Sequence, residues 1–217
     1  MHTTTLHFPD IQLQQRDGHK LRGYFANLFG EESDLFHNHG KDGQYISRYP
    51  KIQYKVVRGK PMLIGIEEGA HLITERFLRI DHIDIDGLEL PVYQKNLKSQ
   101  EQLVRVLNVL YTYEFVTPWQ GLNQDNYKRY MQRNDSERKD QLHAILINNM
   151  ISFFKAIQYQ AVDRIMVTSQ LKEIPIQFKS KKMLGFKGQF TCNVQLPDYI
   201  GLGKSVSRGF GTIKRIS

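Results

Sequence analysis

Hydrophobic residues follow two different periods in the first half of the chain. Alternation with polar residues, which is typical of strands, occurs at residues 11–13 and on both sides of a predicted turn at residues 58–61. Spacings of three and four, which are typical of amphipathic helices, occur over residues 17–30 and 67–78. Further extended chain, with a turn at Asp86-Gly87, is predicted for residues 83–92. The order of strand, helix, strand, strand, helix and strand is that of a ferredoxin-like domain.

The second half shows a similar but less complete pattern. A long alternating segment predicts one strand, and later segments predict two helices and further strands; in chain order these are residues 103–116, 126–132, 136–159, 162–169, 174–178 and 184–196. We take the polar stretch at residues 95–100 as the boundary between domains of residues 1–95 and 96–217. The predicted fold class is therefore α+β, with two tandem ferredoxin-like (RRM-like) domains. The second domain is degenerate and carries a C-terminal glycine-rich loop.

The composition indicates a globular protein. Hydrophobic residues make up 40% of the 217 residues and aromatic residues 11%, which is enough for a packed core. No run of about 18 apolar residues is present, and the polar start of the chain does not resemble a signal peptide. We therefore expect a cytoplasmic protein with no membrane partner. The single Cys192 has no disulfide partner and is predicted to be a buried strand thiol.

Positive charge is concentrated near the end of the chain. Residues 172–217 contain nine basic and two acidic residues, a net charge of +7, so all other residues contribute only +1 to the total of +8. Four phenylalanines are interleaved with these cations: Phe178, Phe186, Phe190 and Phe210. Such a surface favours a nucleic acid as ligand, because neutralising phosphates releases condensed counterions. The alternative is a solvated basic face that keeps the protein in solution.

A glycine-rich segment supplies the most distinctive motif. Its sequence is Gly201-Leu202-Gly203-Lys204-Ser205-Val206-Ser207-Arg208-Gly209-Phe210-Gly211, with four glycines, two cations and no acid. Glycine permits positive φ and a close approach of the backbone to a ligand, so the segment suits a phosphate backbone. Its glycine spacing fits neither the Walker loop nor the dinucleotide-binding fingerprint. A hairpin before a last strand, without a ligand, is the alternative interpretation.

This loop, the two ferredoxin-like halves and the basic charge together resemble the RAMP superfamily of CRISPR-associated RNA-binding proteins. The superfamily's loop is Gly-hydrophobic-Gly, five residues, then Gly-hydrophobic-Gly, which Gly201-Leu202-Gly203 and Gly209-Phe210-Gly211 match. Within the superfamily, the chain is similar to the repeat-processing "Cas six" endoribonucleases. It is most similar to their b-type branch, which carries histidines shortly after the first helix; here these are His37 and His39.

The resemblance implies a metal-independent endoribonuclease that cleaves CRISPR precursor RNA within its repeats and needs no cofactor. The substrate's 2′-hydroxyl attacks the adjacent phosphorus and expels the 5′-oxygen, which leaves a 2′,3′-cyclic phosphate and a 5′-hydroxyl. This reaction requires a base, an acid and a cation, and histidine exchanges protons near neutral pH. We expect His37 and His39 to be the acid and base. Lys41 would stabilise charge on the phosphorane, and Tyr45 or Tyr49 would hold the 2′-hydroxyl or donate to the leaving oxygen.

The residues by themselves also allow other interpretations of the histidine pair. A His-x-His sequence occurs in metal sites, and histidines in loops are often simply solvated. No third His, Cys or acidic residue lies here at a spacing typical of metal ligands, so we predict no metal. RNA binding is predicted for the glycine loop and for basic residues of the first hairpin: Gly201, Gly203, Lys204, Ser205, Arg208, Gly209, Gly211, Lys51 and Lys55. Arg58 and Lys60 extend this second basic surface.

CRISPR repeat RNA is therefore the expected partner, in a system of antiviral defence. A homodimer and contacts with other CRISPR-associated proteins are further partnerships that the resemblance allows. Two other functions remain open. A non-catalytic RAMP-type subunit that binds guide RNA in an effector complex would need the glycine loop but neither histidine. A different basic module, directed at DNA, would show no preference for repeat RNA.

Overall fold

The chain forms two compact units. The computed structural model describes residues 1–36, 48–178 and 181–217. The first unit consists of Met1–Gln102 together with Val206–Gly209, and the second consists of Leu103–Ser205 together with Phe210–Ser217. Among the described residues, no helix has both the length and the apolar character needed to cross a membrane.

The first unit contains a four-stranded sheet. Its elements in chain order are β1 (His2–His7), α1 (Gly18–Phe29), β2 (Ile52–Val57), β3 (Lys60–Ile66), α2 (Glu68–Arg76), β4 (His82–Ile85), β5 (Leu88–Pro91) and β6 (Asn96–Glu101). The strand order is β2-β3-β1-β6, and all neighbouring strands are antiparallel. With one helix after β1 and another after β3, this is the predicted ferredoxin-like arrangement.

The core of the first unit lies between the sheet and α1. Leu21, Phe25 and Phe29 recur every four residues, so they form one buried face of the helix. Phe25 stacks on Tyr54 of β2 with ring centroids 5.7 Å apart. Leu6 of β1 belongs to the same buried cluster. These contacts fix β2 firmly against α1, because each buried large apolar side chain contributes roughly 1.5–3 kcal/mol.

Two predictions about the first unit are wrong. The first strand is β1, not residues 11–13, because consecutive β-branched threonines favour extended chain even in a polar segment. Residues 83–92 contain the predicted extended chain and the turn at Asp86-Gly87, but they do not supply the last strand of the sheet, because they form the separate hairpin of β4 and β5. The last strand is β6, which lies in the stretch interpreted as a polar linker. It is polar because it is an edge strand with mostly exposed side chains.

The second unit has the same sheet topology with one helix replaced. Its elements are β7 (Arg105–Phe115), α3 (Gln124–Met131), α4 (Asp135–Ala156), β8 (Val167–Phe178), β9 (Lys181–Gln195) and β10 (Ile213–Arg215). The strand order β10-β7-β9-β8 corresponds position by position to β6-β1-β3-β2. The segment between β9 and β10, which is described throughout, contains the glycine-rich loop and a short 3-10 turn at Val206–Arg208 instead of an α-helix. The predicted degenerate second domain is confirmed.

The predicted long strand and both predicted helices of this unit are present as β7, α3 and α4. Residues 162–169 and 174–178 were predicted as two strands, but residues 167–178 form the single strand β8, which includes Pro175. A proline is tolerated there because β8 is the edge strand of the sheet. Cys192 is fully buried in β9, as predicted.

Candidate nucleic-acid interface

The glycine-rich loop is fastened to the second unit by backbone hydrogen bonds at both ends. The amide of Leu202 donates to the carbonyl of Gly211 over 2.9 Å, and the amide of Gly211 donates to the carbonyl of Pro118 over 2.8 Å. The amide of Lys204 donates to the carbonyl of Gln120 over 2.9 Å. Because three amides are satisfied by defined partners, the loop is a built element and not a loose connection.

The predicted RNA-binding residues of the loop differ in conformation and exposure. Three of its glycines have a positive φ, which other residues rarely adopt. Gly203, Gly209 and Gly211 have φ values of +96°, +90° and +62°. Lys204 is exposed, whereas Ser205 and Arg208 are partly buried and Gly201 is buried. Among the residues that the structure describes, no carboxylate lies within ion-pair distance of Lys204. Its charge is therefore available to a ligand.

The segment Val206–Gly209 belongs to the first unit, where it packs on β2 and α1. A Cβ atom on Gly209 would lie 3.1 Å from the carbonyl oxygen of Tyr54. A Cβ atom on Gly18, the first residue of α1, would lie 2.6 Å from the carbonyl oxygen of Arg208. Glycine at both positions thus allows the Arg208 backbone to lie against the start of α1 and the middle of β2.

The predicted catalytic residues His37, His39, Lys41 and Tyr45 lie outside the described residues. The chain on either side of them is anchored in the first unit. Asp34 and Arg48 form an ion pair of 3.0 Å. Before the histidines, the buried Phe36 accepts a hydrogen bond of 3.0 Å through its carbonyl from the hydroxyl of Tyr54. Burial raises the pKa of Tyr54 far above its usual value, so this hydroxyl remains a hydrogen-bond donor.

The basic surface predicted on the first hairpin is only partly present. Lys51 pairs with Glu68 over 3.0 Å and remains partly accessible. Lys55 is completely buried, and burial lowers its pKa to about 7. The prediction that Lys55 contributes to a basic surface is wrong, because both faces of β2 are covered. Binding of RNA by Lys51 stays a prediction, whereas the buried Lys55 is not accessible to RNA.

Lys55 shares one sheet face with His7. Strand register pairs Lys55 with Met62, and Met62 with His7, so the three residues form a row across β2, β3 and β1. Burial also lowers the pKa of His7. This face therefore disfavours positive charge on both basic groups.

Other reactive groups in the described chain are inert or scattered. Burial raises the pKa of the Cys192 thiol to about 12, which makes it a poor nucleophile and a poor metal ligand. Within residues 1–36, 48–178 and 181–217, no group of three or more His, Cys, Asp or Glu side chains is arranged to hold a metal ion.

Sequence reasoning missed the roles of Gly18 and Tyr54. Glycine has a low helix propensity. A glycine at the start of the helix predicted over residues 17–30 was therefore the available signal for a close contact at Gly18. Tyr54 gave no such signal, because alternation with polar neighbours predicts only a strand position. Its two contacts, with Gly209 and with Phe36, involve residues far apart in sequence and follow only from the fold.

Comparison with known proteins identifies relatives over nearly the whole chain. A family model described as the Cas6b N-terminal domain matches residues 1–103, and one described as the Cas6b C-terminal domain matches residues 105–216. An uncharacterized protein of Methanocaldococcus jannaschii is 29% identical over 143 residues, which cover 65% of this chain and 97% of that protein.

Two solved structures match with complete coverage of both chains. A crystal structure of Cas6b is 33% identical with a TM-score of 0.93. A crystal structure described as the CRISPR RNA processing endoribonuclease Cas6b is 31% identical with a TM-score of 0.80. The resemblance that the glycine loop and the histidine pair carry is thereby confirmed, and the chain belongs to the Cas6b family.

Proposed function

We propose that the protein is a metal-independent endoribonuclease that cleaves CRISPR precursor RNA within its repeats. Membership of the Cas6b family supports RNA processing, since a relative that is 31% identical over its full length is described as a CRISPR RNA processing endoribonuclease. The basic end of the chain and the glycine loop supply the features that a phosphate backbone requires.

One observation in this chain supports the proposed mechanism beyond what family membership supports. In the first unit, Tyr54 contacts the two segments that the reaction needs. Its carbonyl lies against Gly209 of the glycine loop, and its hydroxyl holds the carbonyl of Phe36, the residue directly before His37. RNA gripped by the loop at Arg208 and Gly209 would therefore run beside the chain that leads into the histidines.

In the proposed reaction, one histidine removes the proton from the 2′-hydroxyl as its oxygen bonds to phosphorus. The other histidine protonates the 5′-oxygen as its bond to phosphorus breaks. We assign these roles to His39 and His37 without fixing which is the base. Lys41 stabilises the phosphorane charge, and Tyr45 holds the 2′-hydroxyl or donates to the leaving oxygen. The products are a 2′,3′-cyclic phosphate and a 5′-hydroxyl.

The remaining assigned residues bind the RNA. Lys204 and Arg208 neutralise phosphates, the Ser205 hydroxyl donates to a phosphate oxygen, and the loop glycines permit a close approach of the backbone. Lys51, directly before the strand that follows the histidine segment, completes the proposed contacts; the buried Lys55 is not among them. CRISPR repeat RNA is the proposed partner, and the cytoplasm is the proposed compartment.

The test compares cleavage with binding. His39→Ala should abolish cleavage of repeat RNA, because a proton-transfer group contributes about 10²–10⁴-fold, while the Kd changes little. His71→Ala is the matched control, because His71 is an exposed histidine of α2 that stacks on His2. It should cut at the wild-type rate. Cleavage by His39→Ala at the wild-type rate would refute the assignment.

A non-catalytic guide-RNA-binding subunit is the second candidate. The observation in its favour is that backbone hydrogen bonds to Pro118 and Gln120 fasten the glycine loop to the second unit, and RNA binding by such a loop does not need the histidine pair. Tight binding of repeat RNA without any cleavage would select this function. Equal affinity for repeat RNA and duplex DNA at matched salt would instead indicate a general nucleic-acid module.

A further inference from the structure

We propose that a cleft in the second unit binds one unpaired nucleotide of the RNA and reads its base. This inference rests on the proposed function, because it deepens how the RNA is recognised. The cleft has a volume of about 800 Å³ and opens beside the glycine loop, since Lys204 lines it. Volumes of about 300–1,000 Å³ are typical of sites for small organic groups such as a nucleotide.

The walls of the cleft supply apolar surface for a base. Leu122, Ile174, Pro175 and Leu184 lie along it, and Tyr127 contributes an aromatic ring that is 43% exposed. Stacking of bases on such side chains is a main source of affinity for single-stranded RNA. A base that is paired in a helix cannot enter a cleft of this kind, so the occupant is an unpaired nucleotide.

The polar edge of a base would find unsatisfied partners in the cleft. Gln120 lines it with a side chain that is only 3% exposed. Its Nε2 donates to the sulfur of Met183 over 3.3 Å, a weak bond, and its Oε1 has no hydrogen-bond partner among the residues that the structure describes. Buried carbonyl oxygens are almost always hydrogen-bonded, so an orphan at the cleft wall indicates a place for a ligand's N–H group.

Glu173 adds a second acceptor. One oxygen of its carboxylate accepts a 2.7 Å hydrogen bond from the hydroxyl of Tyr130, which fixes the orientation of the group. Glu173 also lines the cleft. An amide and a fixed carboxylate together can accept from the N–H and amino groups of a base edge, which distinguishes bases by their donor patterns.

Two cations flank these groups. Lys182 and Lys204 line the cleft and are exposed, and within the part of the chain that the structure describes neither is paired with a carboxylate. They outweigh the single negative charge of Glu173. Gln120 also accepts the backbone hydrogen bond from Lys204, so the same residue supports the loop and lines the cleft. Phosphates held by these lysines would direct the attached base inward.

The experiment measures fluorescence anisotropy with labelled oligo-A, oligo-C, oligo-U and an abasic ribose-phosphate strand, each of about 12 units. The wild-type protein should separate the best from the worst homopolymer by about tenfold. Gln120→Leu should abolish that discrimination while leaving affinity for the abasic strand unchanged. Lys182→Ala should weaken binding of every strand, including the abasic one, and reduce the salt slope by about 0.7.

Matched variants make the result decisive. Lys187 is exposed and lies in β9, the strand that also contains Lys182, but its side chain does not line the cleft. Lys187→Ala should therefore keep the base preference. Leu184→Trp fills the cleft and should remove the preference without relying on the Gln120 substitution. Wild-type base discrimination in both Gln120→Leu and Leu184→Trp would overturn the nucleotide site alone. Failure of the wild-type protein to bind these strands while it binds repeat RNA would also overturn the nucleotide site alone, whereas failure to bind repeat RNA would overturn the proposed function.

Discussion

Replacing Lys55 by methionine should change how the stability of the protein depends on pH. The Lys55 side chain is completely buried in β2, and burial lowers its pKa from 10.5 to about 7. The folded state therefore releases the proton of Lys55 at a lower pH than the unfolded chain. Methionine has a similar length and no charge, so Lys55→Met removes this linkage and largely preserves packing.

The sign and size of the effect follow from the two pKa values. The unfolded state binds more protons between about pH 7 and pH 10.5, so stability rises with pH across this window and is lowest where Lys55 is charged in both states. Because of Lys55, the free energy of unfolding of the protein should increase by about 2 kcal/mol from about pH 7 to about pH 9. Lys55→Met should lack this increase.

Urea unfolding at the two pH values measures the difference directly. Lys98→Met is the matched control, because Lys98 lies on the same face of the same sheet, opposite Thr5, but is exposed. It should retain the wild-type rise. Other titrating groups, including His7, are common to all three proteins and largely cancel in the comparison. An equal rise in wild-type protein and Lys55→Met would refute the reasoning.

Three further substitutions test the contacts around the loop and core. Gly209→Ala should destabilise the fold by about 1–2 kcal/mol and weaken RNA binding, because φ is +90° and the new Cβ would crowd Tyr54; urea unfolding and anisotropy check this. Tyr54→Phe removes the hydrogen bond to Phe36 and should slow cleavage in single-turnover assays with little change in RNA affinity. Asn149→Leu removes the acceptor 3.1 Å from the buried Trp119 N–H and should cost about 1–3 kcal/mol in urea unfolding.

Much of the fold could be predicted because its signals are local. The face of α1 repeats every three to four residues, and the hairpin of β2 and β3 turns at a glycine, so both elements follow from short stretches of sequence. Strand β1 was missed because it consists mostly of threonines and contains few apolar residues. Strand β6 was missed because the sequence of an edge strand resembles that of a polar linker.

The candidate site was only partly predictable because its contacts join distant parts of the chain. The glycine loop carries its own signature, so its residues could be named in advance. Alternation along β2 indicates one buried face, whereas the folded sheet is covered on both, and the burial of Lys55 therefore gave no sequence signal. The cleft lined by Gln120 and Lys182 joins residues about sixty apart, a relation that only the topology of the second unit creates.

Cleavage of repeat RNA in the presence of EDTA, with analysis of the product ends, tests the central proposal most directly. The mechanism uses the RNA's own 2′-hydroxyl and the histidine pair, so cutting should continue at the wild-type rate without divalent metal. The 5′ fragment should end in a 2′,3′-cyclic phosphate and the 3′ fragment should begin with a 5′-hydroxyl. Uncut RNA in EDTA, or products that carry a 5′-phosphate, would contradict the proposal.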